Sequence, residues 1–455
     1  MTHSFDRIAE FVAHPETPES ALRRAALLLI DTLGVAAGAA DLEPSRIARD
    51  FAVDFQAASS TEHSAPILFD GRAASIPGAA FAAATQIDNL DGHDGFNPVK
   101  GHIGCAVVPA LFAFARAVPD LEAREALDIL AMSYEIAGRA GLALHSSVAD
   151  YHTSGAWNAL GVAAVGCRLR GASATQLREA LGIAEYHGPR SQMMREIAHP
   201  TMLHDGSGMG AMVGSMAALL ALRGFQGAPA ITVEAEGVAH FWADLGDVWT
   251  IEQNYIKPYP ICRWAHAPLD GLHAVMRQHD LSHESIAAVR VGTFAESAAL
   301  FPGIPTTTGQ AQYSLPFALA VLMRYGHVGP EHIAGDGLAD ATVQALLPRI
   351  SVHVDERHNA TFPQKRMADV TVVLTDGTEL RSGDVHARGG LDAPMAESEV
   401  AEKFANFAAP TLGDERVRAI WEMREGLLAP GMKFAALADL VTPAPNCASS
   451  IRAFR

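Results

Sequence analysis

Helical spacing to about residue 265, a β-branched stretch with an Asp-Gly hairpin, and helix again after Pro394 predict a mainly α protein. The expected architecture is a large all-helical domain (residues 1–267 and 395–455) with a smaller α+β domain (268–394) inserted before its last helices. At 455 residues the chain is too long for one compact core, so two domains are the default.

Each element has a local cause. Thr17-Pro18-Glu19 reads as a helix start, with a hydroxyl to cap, proline at the first position and an acid in the first turn. The ALRRAALLLIDTLGVAAGA that follows keeps Leu and Ile at helical spacing. Gly78–Thr85 and Ile103–Phe114 read as buried helices, one Ala-rich and one strongly apolar. Ser173 and Gln176 form a capping box before LREALGIA. Between Gly208 and Leu222, Gly210, Gly214 and Ala218 stand four apart and leave a smooth stripe for a close neighbour. IAAVRVGTF (286–294) and the alternating ISVHVDE (350–356) read as strands, and DVTVVL, Asp376-Gly377, TELRS as a hairpin. SEVAEKFANFA and DERVRAIWEM return to helix.

Composition excludes several classes. A net charge of −17 disfavours a nucleic-acid partner or an anionic membrane surface, though a local basic pocket can still take an anionic metabolite. Cys105, Cys167, Cys262 and Cys447 show no CxxC spacing and read as buried thiols of a reducing compartment. The early residues Asp6, Arg7, Glu10, Glu16 and Glu19 interrupt any leader-like apolar core, and the longest apolar run is short of a membrane span. A cytoplasmic protein is expected.

Asp88, Asp91, His93, Asp94, Lys100 and His102 crowd into one otherwise apolar stretch. Flanked by buried helices, such groups sit at the lip of a core, where proton affinities move toward neutrality. Four further segments carry polar groups that a helical core does not require. Tyr151-His152-Thr153 and His199 to Asp205 each precede a helix, whose exposed amides favour an anion. Lys257 to His266 is a proline-braced run with Lys257, Arg263 and His266, and Gln312 lies just before another helix start. The plainer readings are capping histidines, surface carboxylates at a helix end, and a lysine that snorkels to water.

A metal site is not expected, because no HExxH or ligand pair on one helix face occurs and Lys100 opposes a cation. The glycines Gly206, Gly208, Gly210 and Gly214 follow no strand and do not meet the dinucleotide fingerprint. Neither a GxSxG elbow nor a Walker A motif is present.

Taken in order, seven segments resemble the MmgE/PrpD family, whose members include 2-methylcitrate dehydratase, cis-aconitate decarboxylase and iminodisuccinate epimerase. They are the acidic run ending at His102, the YHxxG-like element, the glycine-striped helix, KPYPICRWAHAPLD, AQYSLPF, the VxLxDG hairpin, and a GGxxxPM segment leading to a last helix. The resemblance implies a helical domain, an α+β lid, a homodimer, and a site between domains that uses neither metal nor organic cofactor. It matches Asp88, Asp91 and His102 to the acidic-run histidine element, His152 to the second histidine, and Lys257 to the lysine of the KxYPxC element. The chain departs from the family pattern by adding Lys100, by Ile103-Gly104 in place of Pro-Ser, by Thr201 in place of a lysine, and by Phe317 in place of a tyrosine.

The expected activity is a cofactor-free hydro-lyase on a small hydroxylated di- or tricarboxylate. His102 or His152 would move the α-proton, Asp91 or a protonated histidine would protonate the departing hydroxide with Asp88 a further catalytic candidate, and Lys257 with Arg263 or Lys100 would steady the enolate-like charge. Lys100, Arg263, His204, Tyr151, Thr153 and Gln312 are the expected substrate contacts. Epimerisation or decarboxylation on the same scaffold is the alternative, and a silent carboxylate-binding protein is the rival from another class.

Overall fold

The computed structural model describes residues 2–444, and the chain divides into two units. The first unit runs to Met193, resumes over His204–Asn254 and resumes again from Val400; the second takes Met194–Leu203 and Tyr255–Glu399. Cys447 lies outside the described residues; Cys105, Cys167 and Cys262 are buried free thiols. Among the described residues no single helix is long and apolar enough to cross a membrane.

The first unit is built from α1 (Thr2–Ala13), α2 (Glu19–Gly38), α3 (Glu43–Phe55), α4 (Ile76–Asp88), α5 (Gly104–Ala115), α6 (Ala123–Ser147), α7 (Gly155–Leu169) and α8 (Ala174–His187). After α9 (Met193–Ala198), which crosses the unit boundary, come α10 (Ser207–Leu222) and α11 (Ile231–Glu234). Three short strands, β1 (Ser64–Pro66), β2 (Ala73–Ser75) and β3 (Gly95–Phe96), punctuate the helices, and β1 pairs antiparallel with β2.

Helix α7 is the hub, packed against α5, α6, α8 and α10. The small-residue stripe explains how closely α10 approaches it. A Cβ on Gly210 would meet the Gly155 backbone and one on Gly214 the Ala159 carbonyl, while a Cβ on Gly166 would meet Ala218. Every residue of α5 is buried, and each large apolar side chain so removed from water contributes roughly 1.5–3 kcal/mol. The Ser173–Gln176 capping box forms as expected. The start of α2 differs: Pro18 is its N-cap, and the Thr17 hydroxyl donates to Asp128 rather than capping the helix.

The two-residue stretch β4 (Asn254–Tyr255) crosses the unit boundary, and the second unit then holds α12 (His266–Gln278), β5 (Ile286–Thr293), α13 (Ala295–Ala298), α14 (Thr308–Gln312), α15 (Leu315–Tyr325) and α16 (Ala341–Leu346). It continues with β6 (Ile350–Val354), α17 (Glu356–Asn359), β7 (Met367–Leu374) and β8 (Glu379–His386). Its sheet has the order β6-β5-β7-β8, with β5 parallel to β6 and the other pairs antiparallel. Gly377, at φ 87, supplies the left-handed residue of the Asp-Gly turn. This unit reaches further back along the chain than residue 268. The Ile256 amide donates to Gly389, the Cys262 amide to Gln312, and the Arg263 guanidinium to the Ala387 and Arg388 carbonyls, so residues 255–267 are fastened to it. The helices α18 (Glu397–Leu412), α19 (Asp414–Gly426) and α20 (Ala435–Val441) then lead back into the first unit.

Candidate active site

The acidic run forms the turn between α4 and α5. Asp88 closes α4, Asp91 adopts a left-handed conformation at φ 52, and Lys100 does the same at φ 54 after the one-turn helix Asn97–Val99. Asp88, Asp91, His93, Asp94 and His102 are all buried. Lys403 of α18 anchors the turn from beneath, donating to both Asp31 oxygens at 2.7 and 2.9 Å and to the Gly92 carbonyl at 2.8 Å.

His102 is gripped at every polar point of its main chain. Its amide donates to Ser154 Oγ at 2.9 Å, and its carbonyl accepts from Asn158 Nδ2 at 2.9 Å, so residues four apart at the start of α7 clamp it on both sides. Its Nδ1 lies 2.6 Å from the Asp94 main-chain carbonyl. A carbonyl only accepts, so Nδ1 carries the proton and the neutral ring keeps its lone pair on Nε2. Nε2 faces Asp205 Oδ2 at 3.6 Å, and the His93 ring stands edge-on at 4.5 Å between centroids.

Two departures from the family pattern have structural consequences here. Gly104 lets the Asp94 carboxyl and the Tyr134 hydroxyl close over the start of α5, since a Cβ there would strike both. Gly101 likewise leaves room for Ser154 and Trp157. Lys100, the added cation, places its ammonium 4.5 Å from the centre of the Tyr151 ring, and the Tyr151 hydroxyl donates to the Lys100 carbonyl.

Electrostatics divide the site. Burial, reinforced by the charge of Asp205, holds the Asp88 carboxyl well above the usual range. Burial and then the charge of Asp31 push Asp94 up to about 7. Around His152 the surroundings are basic. Its ring is stacked with His145 at 6.5 Å between centroids, and its amide donates to His145 Nε2 at 3.3 Å. Burial first, then the charges of Lys100 and His152, lower His145 to about 4, so that ring is neutral near pH 7.

One expectation needs correction. The helix starts after His152 and His204 were expected to offer amides to a bound anion. The chain's own carboxylates occupy both. Asp205 Oδ1 accepts from the Ser154 amide at 3.3 Å and the Ser154 hydroxyl at 2.6 Å, at the start of α7. Asp88 accepts from the Ser207 amide at 3.1 Å and its hydroxyl at 3.0 Å, at the start of α10.

Of the expected site residues, Asp88, Asp91 and His102 come together in the acidic turn, while Lys100, Tyr151 and His152 share the basic corner. Ser154 joins the two sets, two residues beyond His152 and bonded to His102. Thr153 and His204, which directly precede Ser154 and Asp205 in sequence, are buried, and the Thr153 amide donates to the Ser191 carbonyl. Lys257, Arg263 and Gln312 belong to the second unit. Lys257 is fully buried there, and Arg263 lies 4.3 Å from the Tyr255 ring centre with its affinity for a proton lowered to about 10 by burial. Thr201 is exposed and Phe317 is core.

Sequence reasoning placed Ser154 and Asp205 in its polar segments without giving either a role, and did not single out Asn158, His145 or Lys403. A signal existed for two of the latter: His145 and Lys403 are polar residues on helices with apolar faces. Ligand atoms of Asp91, His93 and His102, and of Asp88, His93 and Cys105, lie within 4.8 Å of one another, a spacing that a divalent cation could also span.

Two family models cover most of the chain, the MmgE/PrpD N-terminal domain over residues 6–248 and the MmgE/PrpD C-terminal domain over 259–427. The chain belongs to the MmgE/PrpD family. Its mainly α fold agrees with that membership. Curated relatives include the cis-aconitate decarboxylase of Homo sapiens, 22% identical over 487 aligned positions that span 99% of this chain and 98% of the relative. The cis-aconitate decarboxylase of Mus musculus is 23% identical over 375 positions, 77% of this chain and 75% of the relative. Both of these relatives are named as decarboxylases.

Proposed function

We propose that this chain is a cytoplasmic, homodimeric lyase that acts on a small di- or tricarboxylate by moving a proton at the carbon beside a carboxylate. Dehydration of a hydroxylated acid is the first reading. The observation that carries it is the tautomer of His102: with Nδ1–H held by the Asp94 carbonyl, Nε2 is a ready base among buried carboxylates.

In a dehydration, Nε2 takes the α-proton, and the C–H pair moves to form the double bond as the C–O bond breaks. An acid of the same cluster, Asp91 or Asp88, the latter held well above the usual carboxylate range by burial, delivers a proton to the departing hydroxide, which leaves as water. Lys100 and the basic corner around His152 supply charge of the sign that a carboxylate substrate requires. Lys257 and Arg263 are proposed as further cations for the substrate on the strength of the family motif.

Decarboxylation is the second reading, favoured by the name of both curated relatives. There the carboxylate leaves as carbon dioxide and the same imidazole, now carrying two protons, delivers one to the resulting carbanion. The discriminating experiment incubates the purified chain with 2-methylcitrate, citrate and cis-aconitate and follows the products by mass spectrometry. Loss of water supports the first reading and loss of carbon dioxide the second. No product and no exchange of substrate protons in heavy water would leave a binding protein.

A further inference from the structure

The mechanism above uses His102 but not the carboxylate opposite it. Asp205 is buried, and both bonds from Ser154 fall on its Oδ1. That arrangement turns Oδ2 toward His102 Nε2, the nitrogen with the lone pair, at 3.6 Å. The same Ser154 hydroxyl accepts from the His102 amide. A closed ring of contacts results: the His102 amide donates to the Ser154 hydroxyl, the Ser154 hydroxyl donates to Asp205, and Asp205 Oδ2 faces the His102 imidazole across 3.6 Å, with no hydrogen bond while Nε2 is unprotonated.

Such a ring fixes two things together. The main chain of His102 and the carboxylate that faces its side chain are referenced to one hydroxyl, so neither moves without the other. The Gly155 amide adds a bond to the Asp205 carbonyl at 2.8 Å, tying the Asp205 backbone to the start of α7 as well. Asp91 and the His93 ring also stand close to His102, and Asp88 Oδ1 lies 3.6 Å from His93 Nε2.

We propose that Asp205, held by Ser154, is the positioning residue of His102: it faces Nε2 and provides the acceptor and counter-charge that hold the imidazolium once that nitrogen takes up the substrate proton. The assignment rests on the reading of His102 as the proton-transfer group. Its chemistry adds no reactant, since the proton passes between substrate carbon and Nε2 while the carboxylate stays ionised and its charge is matched by the imidazolium.

The test compares the full-length chain with Asp205→Asn, Asp205→Glu, Ser154→Ala and His102→Gln, using 2-methylcitrate and cis-aconitate as substrates. Asp205→Asn is isosteric and keeps an acceptor for Ser154. Its kcat should fall about 10²-fold, near the lower edge of the range for losing an acid–base group, with KM within about threefold of the parent. Asp205→Glu should recover part of that loss, because it restores the charge; a merely structural aspartate would show no such rescue. Ser154→Ala should lower kcat in the same direction with less effect, keeping the idea testable if Asp205→Asn does not fold. Parental kcat in Asp205→Asn alongside an inactive His102→Gln overturns this proposal alone. Full activity in His102→Gln, or no turnover of either acid by the parent chain, overturns the reading of His102 beneath it.

Discussion

The two histidines of the first unit stand in opposite surroundings. His102 is faced by Asp205 and lies in a cluster with Asp91 and His93, whereas His152 shares its corner with Lys100 and His145. One wall gathers carboxyl groups around a ring that becomes cationic when it takes up a proton; the other gathers the Lys100 ammonium and two imidazoles, where an anionic substrate would be held. The division suggests separate tasks, proton handling at His102 and carboxylate holding at the His152 corner, even though Ser154 links the two within a few residues.

The largest expected effect tests the acidic wall. His102→Gln keeps a donor and an acceptor but no titratable ring, and kcat should fall by roughly 10²–10⁴-fold with little change in the far-UV spectrum. A parental rate would remove the proton-handling half of the comparison. Next is Lys403→Met, which leaves Asp31 buried without its ammonium and Gly92 without its donor. Breaking a buried pair in this way costs about 3–5 kcal/mol, to be read by urea unfolding. A smaller loss would mean that the acidic turn is held by its other contacts.

The basic corner calls for a different signature. Lys100→Ala should raise KM by about tenfold while kcat stays within a few-fold, the pattern of lost uniform binding. Lys257→Ala is expected to raise KM and lower kcat together, and unchanged kinetics would remove Lys257 from the site. An equal fall in kcat for Lys100→Ala would erase the distinction between the two walls.

How much of this was legible in the sequence follows from the range of the interactions. Several elements were readable because their signals are local: the capping box at Ser173, the small-residue stripe of α10 and the Asp-Gly turn at Gly377 are each written within a few residues. Asp88, Asp91, Lys100 and His102 were visible because polar groups in an apolar run are conspicuous. The pairings of Asp205 and Lys403 were not, since their partners are 103 and 372 residues away, His102 in one case and Asp31 in the other. No pattern of spacing encodes those pairings. The same limit explains the helix-start error: an N-terminal amide invites an anion, but nothing local says that Asp205 or Asp88 already supplies it.

The weakest effect sharpens the comparison through stability rather than rate. Asp94 binds its proton up to about pH 7 in the fold, against about 4 when unfolded. The native state therefore holds the extra proton between these values, and this group's contribution falls as pH rises through that window. His145 behaves in the opposite sense. Its affinity is lowered to about 4 against about 6.5 unfolded, so the unfolded chain holds the extra proton and stability falls as pH drops from about 6.5 toward 4. Asp94→Asn should accordingly raise stability at pH 8 more than at pH 5, by on the order of 1 kcal/mol, while His145→Gln should flatten the acid side of the curve. Thermal melts of the two variants across pH 4–8 would show one change on each flank. Parallel shifts at every pH would mean that the two walls do not differ in the way their buried groups indicate.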